Sequence, residues 1–239
     1  MKLFFIVPLL FFVSCTQGSC INVVVNQPSA VQPSKKKEFD EKYLSVARLL
    51  IKGKDNPKSG FSATGFAVDK NHILTAGHFC ESFIKGLANG EVVNSIEALY
   101  FNGDNFKKKN GYKVVRVDNK NDICLLKRGW HSLSVVSFGL NAGVGDKVSV
   151  LGAPIGIFPS KVDGYIIQPN NRIYGDKSLI GTLMISAVVH PGNSGSPIYN
   201  KNNKVVGMLI GVIGPIGVAV RASALSLFLK SCGIEVRNN

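Results

Sequence analysis

Acidic side chains are scarce in this chain: 15 Asp and Glu stand against 28 Lys and Arg, a formal net charge of +13 at pH 7. The surplus sits in runs, Lys35-Lys36-Lys37 and Lys107-Lys108-Lys109, with Lys113, Arg116, Lys120, Lys127 and Arg128 in the same half. No aromatic interleaving or base-reading module accompanies these lysines, so no nucleic-acid partner is expected. An anionic envelope surface and a plainly solvated face remain the two readings of the charge. Histidine is rarer still, with four residues, and no His, Cys and carboxylate cluster has metal-ligand spacing, so no metal and no cofactor are expected. The glycines lack the lysine and the strand-to-helix context of a phosphate loop. No repeat recurs at a fixed period. A transmembrane anchor is not expected once the N-terminus is set aside, because no other apolar segment approaches about 18 residues.

What is present begins with that N-terminus. Lys2 precedes an uncharged apolar run of eleven residues, Leu3 to Val13, which is too short to span a bilayer and has the length of a signal-peptide core. Residues 1–20 are therefore read as a signal peptide or lipoprotein leader, with lipidation of Cys15 and plain cleavage both open. The expected location is extracytoplasmic. Residues 21–42, with Pro28, Pro33 and the first lysine triplet, read as a flexible tether. Short apolar runs punctuated by Gly, Asn and Pro follow from Tyr43: Val46 to Ile51, Phe66 to Val68, Ile96 to Phe101, Val114 to Val117 and Asp122 to Leu126. After Gly129-Trp130-His131 come Lys147 to Leu151, Gly164 to Ile167, Thr182 to Val188, Pro197 to Tyr199, Val205 to Gly211 and Gly217 to Val220. This is the pattern of antiparallel all-β barrels, closed by a helix over Ser223 to Cys232.

Three strings carry chemistry: Thr75-Ala76-Gly77-His78, Asp122-Ile123-Cys124-Leu125-Leu126 and Pro191-Gly192-Asn193-Ser194-Gly195-Ser196-Pro197. A serine hydroxyl is a weak nucleophile. It needs a base to take its proton and a carboxylate to orient that base. His78, Asp122 and Ser194 supply one group each, at separations of 44 and 72 residues. Asp118 is the competing carboxylate, but it precedes a polar turn, whereas Asp122 leads into an apolar strand. Gly192 and Gly195 flank the nucleophile, so the chain can turn tightly there and aim backbone N–H groups inward.

The same strings resemble trypsin-like serine proteases. Thr64-Gly65-Phe66-Ala67-Val68, the turn Asp69 to His72 and Ile73 to His78 are similar to the hairpin before their catalytic histidine. Val144-Gly145-Asp146 with Val148 to Pro154 and Gly156, and Ser186 to Pro197 with Val205-Val206-Gly207, resemble bacterial Deg-type (high-temperature-requirement) proteases. The Gly-Asn-Ser-Gly-Ser-Pro form also resembles glutamyl endopeptidases. The resemblance covers about residues 43 to 226 and implies two antiparallel six-stranded β-barrels of chymotrypsin-like type with a short C-terminal helix. It sets a protease domain over 43–235: barrel one about 43–130, barrel two about 131–222 and the helix about 223–232. The expectation is a stand-alone catalytic domain acting on protein or peptide substrates.

The resemblance also implies that the N–H groups of Gly192 and Ser194 form the oxyanion hole. It sets the specificity pocket from Val188, Val189 and His190 on one wall and Ile210, Gly211 and Val212 on the other, the latter backbone pairing with substrate. For His190 a packing or capping role is the alternative. An aliphatic pocket implies cleavage after small or medium apolar residues. The family's usual cysteine bridge beside the histidine is absent, because Ser62-Ala63-Thr64 offers no partner. Cys124 is read as a buried, inert thiol, although the pairing of Cys20, Cys80, Cys124 and Cys232 does not follow from spacing. The rival readings are a catalytically idle protease homologue acting as a binding module, a non-enzymatic envelope-binding protein, and an esterase.

Overall fold

The computed structural model describes residues 41–56, 60–127, 132–169 and 182–237. The leader with Cys15 and Cys20, the tether up to residue 40 and the 128–131 connection with Trp130 and His131 lie outside the described residues.

Among the described residues, strands close into two six-membered barrels. The first contains β1 (Val46–Gly53), β2 (Gly60–Ala67), β3 (His72–Ala76), β4 (Val92–Phe101), β5 (Phe106–Asp118) and β6 (Ile123–Lys127), paired in the order β1-β2-β3-β6-β5-β4. The second contains β7 (Lys147–Gly152), β8 (Ser160–Gln168), β9 (Thr182–Ile185), β10 (Pro197–Asn200), β11 (Val205–Ile213) and β12 (Ile216–Arg221), in the order β10-β11-β12-β9-β8-β7. Every ladder is antiparallel, as in β1–β2 with Val46 opposite Phe66 and β7–β8 with Lys147 opposite Tyr165. The chain is thus all-β in two closed antiparallel barrels, followed by the short C-terminal helix α2 (Ala222–Ser231).

Local reading went astray in instructive places. A helix, α1 (Gly77–Ala88), begins at the residue before His78 and buries Phe79, Cys80, Phe83 and Gly86 on one face. β9 stops at Ile185, three residues short of the expected end at Val188. β5 is far longer than Val114 to Val117, because it pairs with β4 on one edge and β6 on the other while Lys107, Lys108 and Lys113 are exposed. The turn read as Asp69 to His72 ends one residue earlier than its last member. His72 opens β3, and its ring Nδ1 lies 2.8 Å from Asp69 Oδ2. Cys124 is not a thiol: it forms a disulfide with Cys80, their Cα atoms 6.4 Å apart. Cys80 points inward from α1 and Cys124 inward from β6, both fully buried, so the two sulfurs meet under the helix.

Each barrel has its own apolar interior, Leu49, Ile51, Ile73 and Leu126 in the first and Val150, Leu183, Ile185 and Leu209 in the second. A third cluster lies between them. It joins Phe66, Leu74 and Ile123 of barrel one to Tyr199, Val205 and Met208 of barrel two, and Leu225 and Leu229 of α2 cover it. Each such side chain contributes about 1.5–3 kcal/mol when fully buried. The barrels therefore share one continuous apolar seam, and the ends of β3 and β6 are held at its rim.

Candidate active site

The seam decides which loops meet. β3 ends at Ala76, and the chain enters α1 without any side-chain cap of its own. The first N–H groups of a helix have no partner inside it. Here Asp122, just before the neighbouring strand β6, supplies two: its carbonyl accepts the Gly77 N–H at 3.0 Å and its Oδ1 accepts the His78 N–H at 2.7 Å. The other carboxylate oxygen, Oδ2, lies 2.8 Å from His78 Nδ1. One aspartate thus caps the helix and orients the imidazole together. Asp122 holds a left-handed φ of 54°, a conformation that Asp tolerates better than most side chains. The approach is close enough that a Cβ on Gly77 would sit 3.0 Å from the Asp122 carboxylate.

The His78 side chain is half exposed, so its outer edge faces solvent. Its pKa is raised above the ordinary 6.5, first by the hydrogen bond to Asp122, against an opposing desolvation. The charges of Asp122 and Glu81 act in the same upward direction. Asp118 is occupied elsewhere. Its Oδ1 accepts the N–H groups of Lys120 and Asn121 and its Oδ2 accepts the Asn121 amide at 2.7 Å, so it builds the β5–β6 turn.

The third string comes from barrel two. Gly192 and Gly195 adopt φ of +98° and +84°, and a Cβ would strike the Ala153 carbonyl at the first and the Thr64 carbonyl at the second. Glycine is required at both. The loop is locked into barrel one through Thr64, a fully buried residue. Its N–H donates to the Ser194 carbonyl at 2.8 Å, and its hydroxyl donates to the Gly192 carbonyl at 2.8 Å while accepting the Ala153 N–H at 3.1 Å. The Thr64 carbonyl in turn accepts the Thr75 hydroxyl at 2.7 Å, three residues before His78. The N–H of Asn193 is used by the His190 carbonyl and that of Gly195 by the Leu209 carbonyl. Among the described residues, those of Gly192 and Ser194 donate to no protein acceptor. The backbone of Gly195 packs against Ala76, which brings the Ser194 loop to the end of β3 where His78 begins.

Thr64, which ties the Ser194 loop to barrel one, is the residue that the motifs left without a role, since it appeared only as the first residue of a hairpin. Its signal was a lone β-branched hydroxyl entering an apolar strand, opposite a glycine-rich loop.

Around this centre, Val188 and Val212 are exposed, at 68% and 54%. Val189 packs partly buried against the second barrel's interior and Ile210 against the inter-barrel seam. His190 is exposed and contributes its carbonyl to the Asn193 N–H. Gly211 faces open space, with nothing within 4 Å of where a Cβ would stand. β10 leaves β11 at Met208, and β12 shifts register between Leu209 and Gly211, so beyond Leu209 no described strand covers the second edge of β11. Among the described residues no group of three His, Cys, Asp or Glu could hold a metal ion, and no helix is long and apolar enough to cross a membrane.

Solved structures share this architecture. Deg5 superposes with a TM-score of 0.66 at 20% identity, over 79% of this chain and 89% of that one. The HtrA-type protease AlgW bound to a tripeptide gives 0.66 at 18%, over 81% of this chain and 61% of AlgW. Rv3671c from M. tuberculosis H37Rv, in an inactive mutant form, gives 0.59 at 23%, over 80% and 88%. At these identities the likeness is one of fold. A family model reaches further: the trypsin-like peptidase domain matches residues 63–208, from β2 to β11, with His78, Asp122 and Ser194 inside the match. The chain belongs to the trypsin-like peptidase family.

Proposed function

We propose that this protein is an exported serine endopeptidase in which Ser194, His78 and Asp122 form the catalytic triad. The observation that carries the reading is Asp122 engaging His78 twice, at the ring and at the backbone, beside a glycine-flanked serine loop. In this reading the Ser194 Oγ attacks the peptide carbonyl while His78 Nε2 takes its proton. Asp122 keeps the proton on Nδ1 and stabilises the imidazolium. The tetrahedral oxyanion is received by the unengaged N–H groups of Gly192 and Ser194, each supplying roughly 3 kcal/mol of barrier reduction. His78 then protonates the departing amine as the C–N bond breaks. Water, activated by the same imidazole, hydrolyses the acyl-enzyme and restores Ser194.

The substrate is a protein or peptide, laid as an added strand on the free edge of β11 from Ile210 to Val212. The exposed Val188 and the open space at Gly211 support a pocket for small or medium apolar side chains, since neither offers a partner for a charge. Export rests on Lys2 and the apolar run that follows it, and the lysine-bearing face of β5 suits an anionic envelope surface. The experiment is labelling by a fluorophosphonate probe. Stoichiometric labelling that disappears in S194A, together with hydrolysis of a peptide library, is the expected result. A folded protein that takes no label and cuts no peptide would instead be the binding-module homologue.

A further inference from the structure

Cys80 lies two residues beyond His78 and Cys124 two residues beyond Asp122, and the two cysteines are bonded to each other. The covalent bridge therefore runs parallel to the hydrogen bonds between His78 and Asp122, one short step further into the protein. Its two anchors differ in kind. Cys124 is a fixed point, because β6 is paired on both edges there, to Thr75 of β3 and to Val117 of β5. Cys80 belongs to the first turn of α1, a helix with no side-chain cap of its own that contacts the barrel through its buried face. Asp122 itself sits in a left-handed conformation, which a non-glycine residue keeps only where its surroundings over-determine it. Three hydrogen bonds and the β3–β6 ladder, which pairs Ala76 with Ile123, join these two segments, and the disulfide adds a covalent link beside them.

Building on the proteolytic reading, we propose that the Cys80–Cys124 disulfide is a positioning clamp for the His78–Asp122 pair, pinning the first turn of α1 to β6 so that the carboxylate and the imidazole stay in register. The cysteines touch no substrate. They act through His78, and their loss is felt in turnover before it is felt in substrate binding. The charged groups acting on His78 are Asp122, from the β5–β6 turn, and Glu81, on α1 itself. Glu81 travels with the helix. A slackened register therefore changes the influence of Asp122 alone, and the imidazole loses part of the support that holds its pKa up.

The test compares the oxidised wild-type protein with C80A/C124A and with C80V/C124A, which refills some of the lost volume. It uses near-UV circular dichroism, kcat and KM as a function of pH, and the low-field proton NMR signal of the His78 Nδ1–H. The expected result is a folded double variant whose kcat is lower by about a hundredfold, with KM changed less than about twofold. Its acid limb should move to lower pH, and its low-field signal should be broadened or lost. A variant with unchanged kcat, pH limb and low-field signal, however much less heat-stable, would overturn the clamp and leave a general staple. Loss of the native fold in both variants would overturn it in the same sense. The NMR signal separates this inference from the larger reading. A wild-type protein that cuts no peptide sinks the protease proposal, while a signal that vanishes with the bridge still upholds the clamp.

Discussion

Replacing Asp122 by Asn tests the centre of the mechanism, and the hydrogen bonds indicate how it must fail. Asp122 Oδ1 accepts the His78 backbone N–H, a donor that has no alternative partner because it belongs to the first turn of a helix. An asparagine in this place has one acceptor and one donor to distribute. Its carbonyl oxygen is claimed by the backbone N–H, so its NH2 turns to His78 Nδ1, now 2.8 Å from a carboxylate oxygen. That nitrogen must then accept. The ring proton moves to Nε2, the face that should receive the proton of Ser194, and the base is lost while the helix cap survives. The expected cost is about 10⁴ in kcat, roughly 5 kcal/mol at the transition state, with a melting temperature close to wild type. D118N serves as control. Its carboxylate only supports the β5–β6 turn, so its activity should stay within about tenfold of wild type. Turnover of a fluorogenic peptide and the rate of fluorophosphonate labelling measure both variants. Near-wild-type turnover in D122N, or collapse in D118N instead, would refute this assignment.

Five further outcomes can be checked, four from the same geometry and one from the leader sequence. Because the Asp122 hydrogen bond raises the His78 pKa above 6.5, the acid limb of kcat/KM should lie above that value. The folding stability that this pair contributes is fully present below pH 6.5 and is lost as pH rises through the raised pKa, which urea melts across that window will read. T64V strands the Gly192 carbonyl and the Ala153 N–H inside the protein, at about 1–3 kcal/mol for each group. It should lower kcat more than it raises KM, and T64S, which keeps the hydroxyl, should recover both. G211V adds a branched side chain beside β11 where nothing lies within 4 Å of its Cβ, so the fold should persist while cleavage preference moves from Leu and Ile toward Ala; dominant cleavage by the wild type after Glu, Lys or Arg would remove the apolar pocket altogether. Mass spectrometry of protein from a bacterial host should find the mature N-terminus near residues 15 to 20. Diacylglyceryl on Cys15 would establish lipidation, and a cytoplasmic chain with Met1 to Val13 intact would end the export proposal.

What could be read from residues alone was whatever is periodic or bears a reactive group. The short apolar run Val46 to Ile51 and the alternation Lys147 to Val150 mark strands, and the barrels close those same strands. Asp122 could be preferred over Asp118 because an apolar run follows it, and the run is β6, whose first residue is fixed on both sides. The failures share a different cause: they depend on partners distant in sequence. α1 was hidden because its apolar residues, Phe79, Cys80 and Phe83, sit beside a catalytic motif that already explained the stretch, and because its cap comes from Asp122. β5 outgrew its apolar run because two neighbouring ladders, not its own lysine-rich composition, hold it extended. The disulfide was within reach of a stricter argument. If His78 and Asp122 touch, their chain segments are brought close together, and two positions beyond each stand Cys80 and Cys124, both pointing inward. Buried cysteines about 6 Å apart at the Cα atoms are at bonding distance. Pairing the functional residues first and then asking what their chain neighbours must meet turns one inferred contact into the next. The same step from Ser194 leads through its carbonyl to Thr64, and from Thr64 to Thr75 at the threshold of His78.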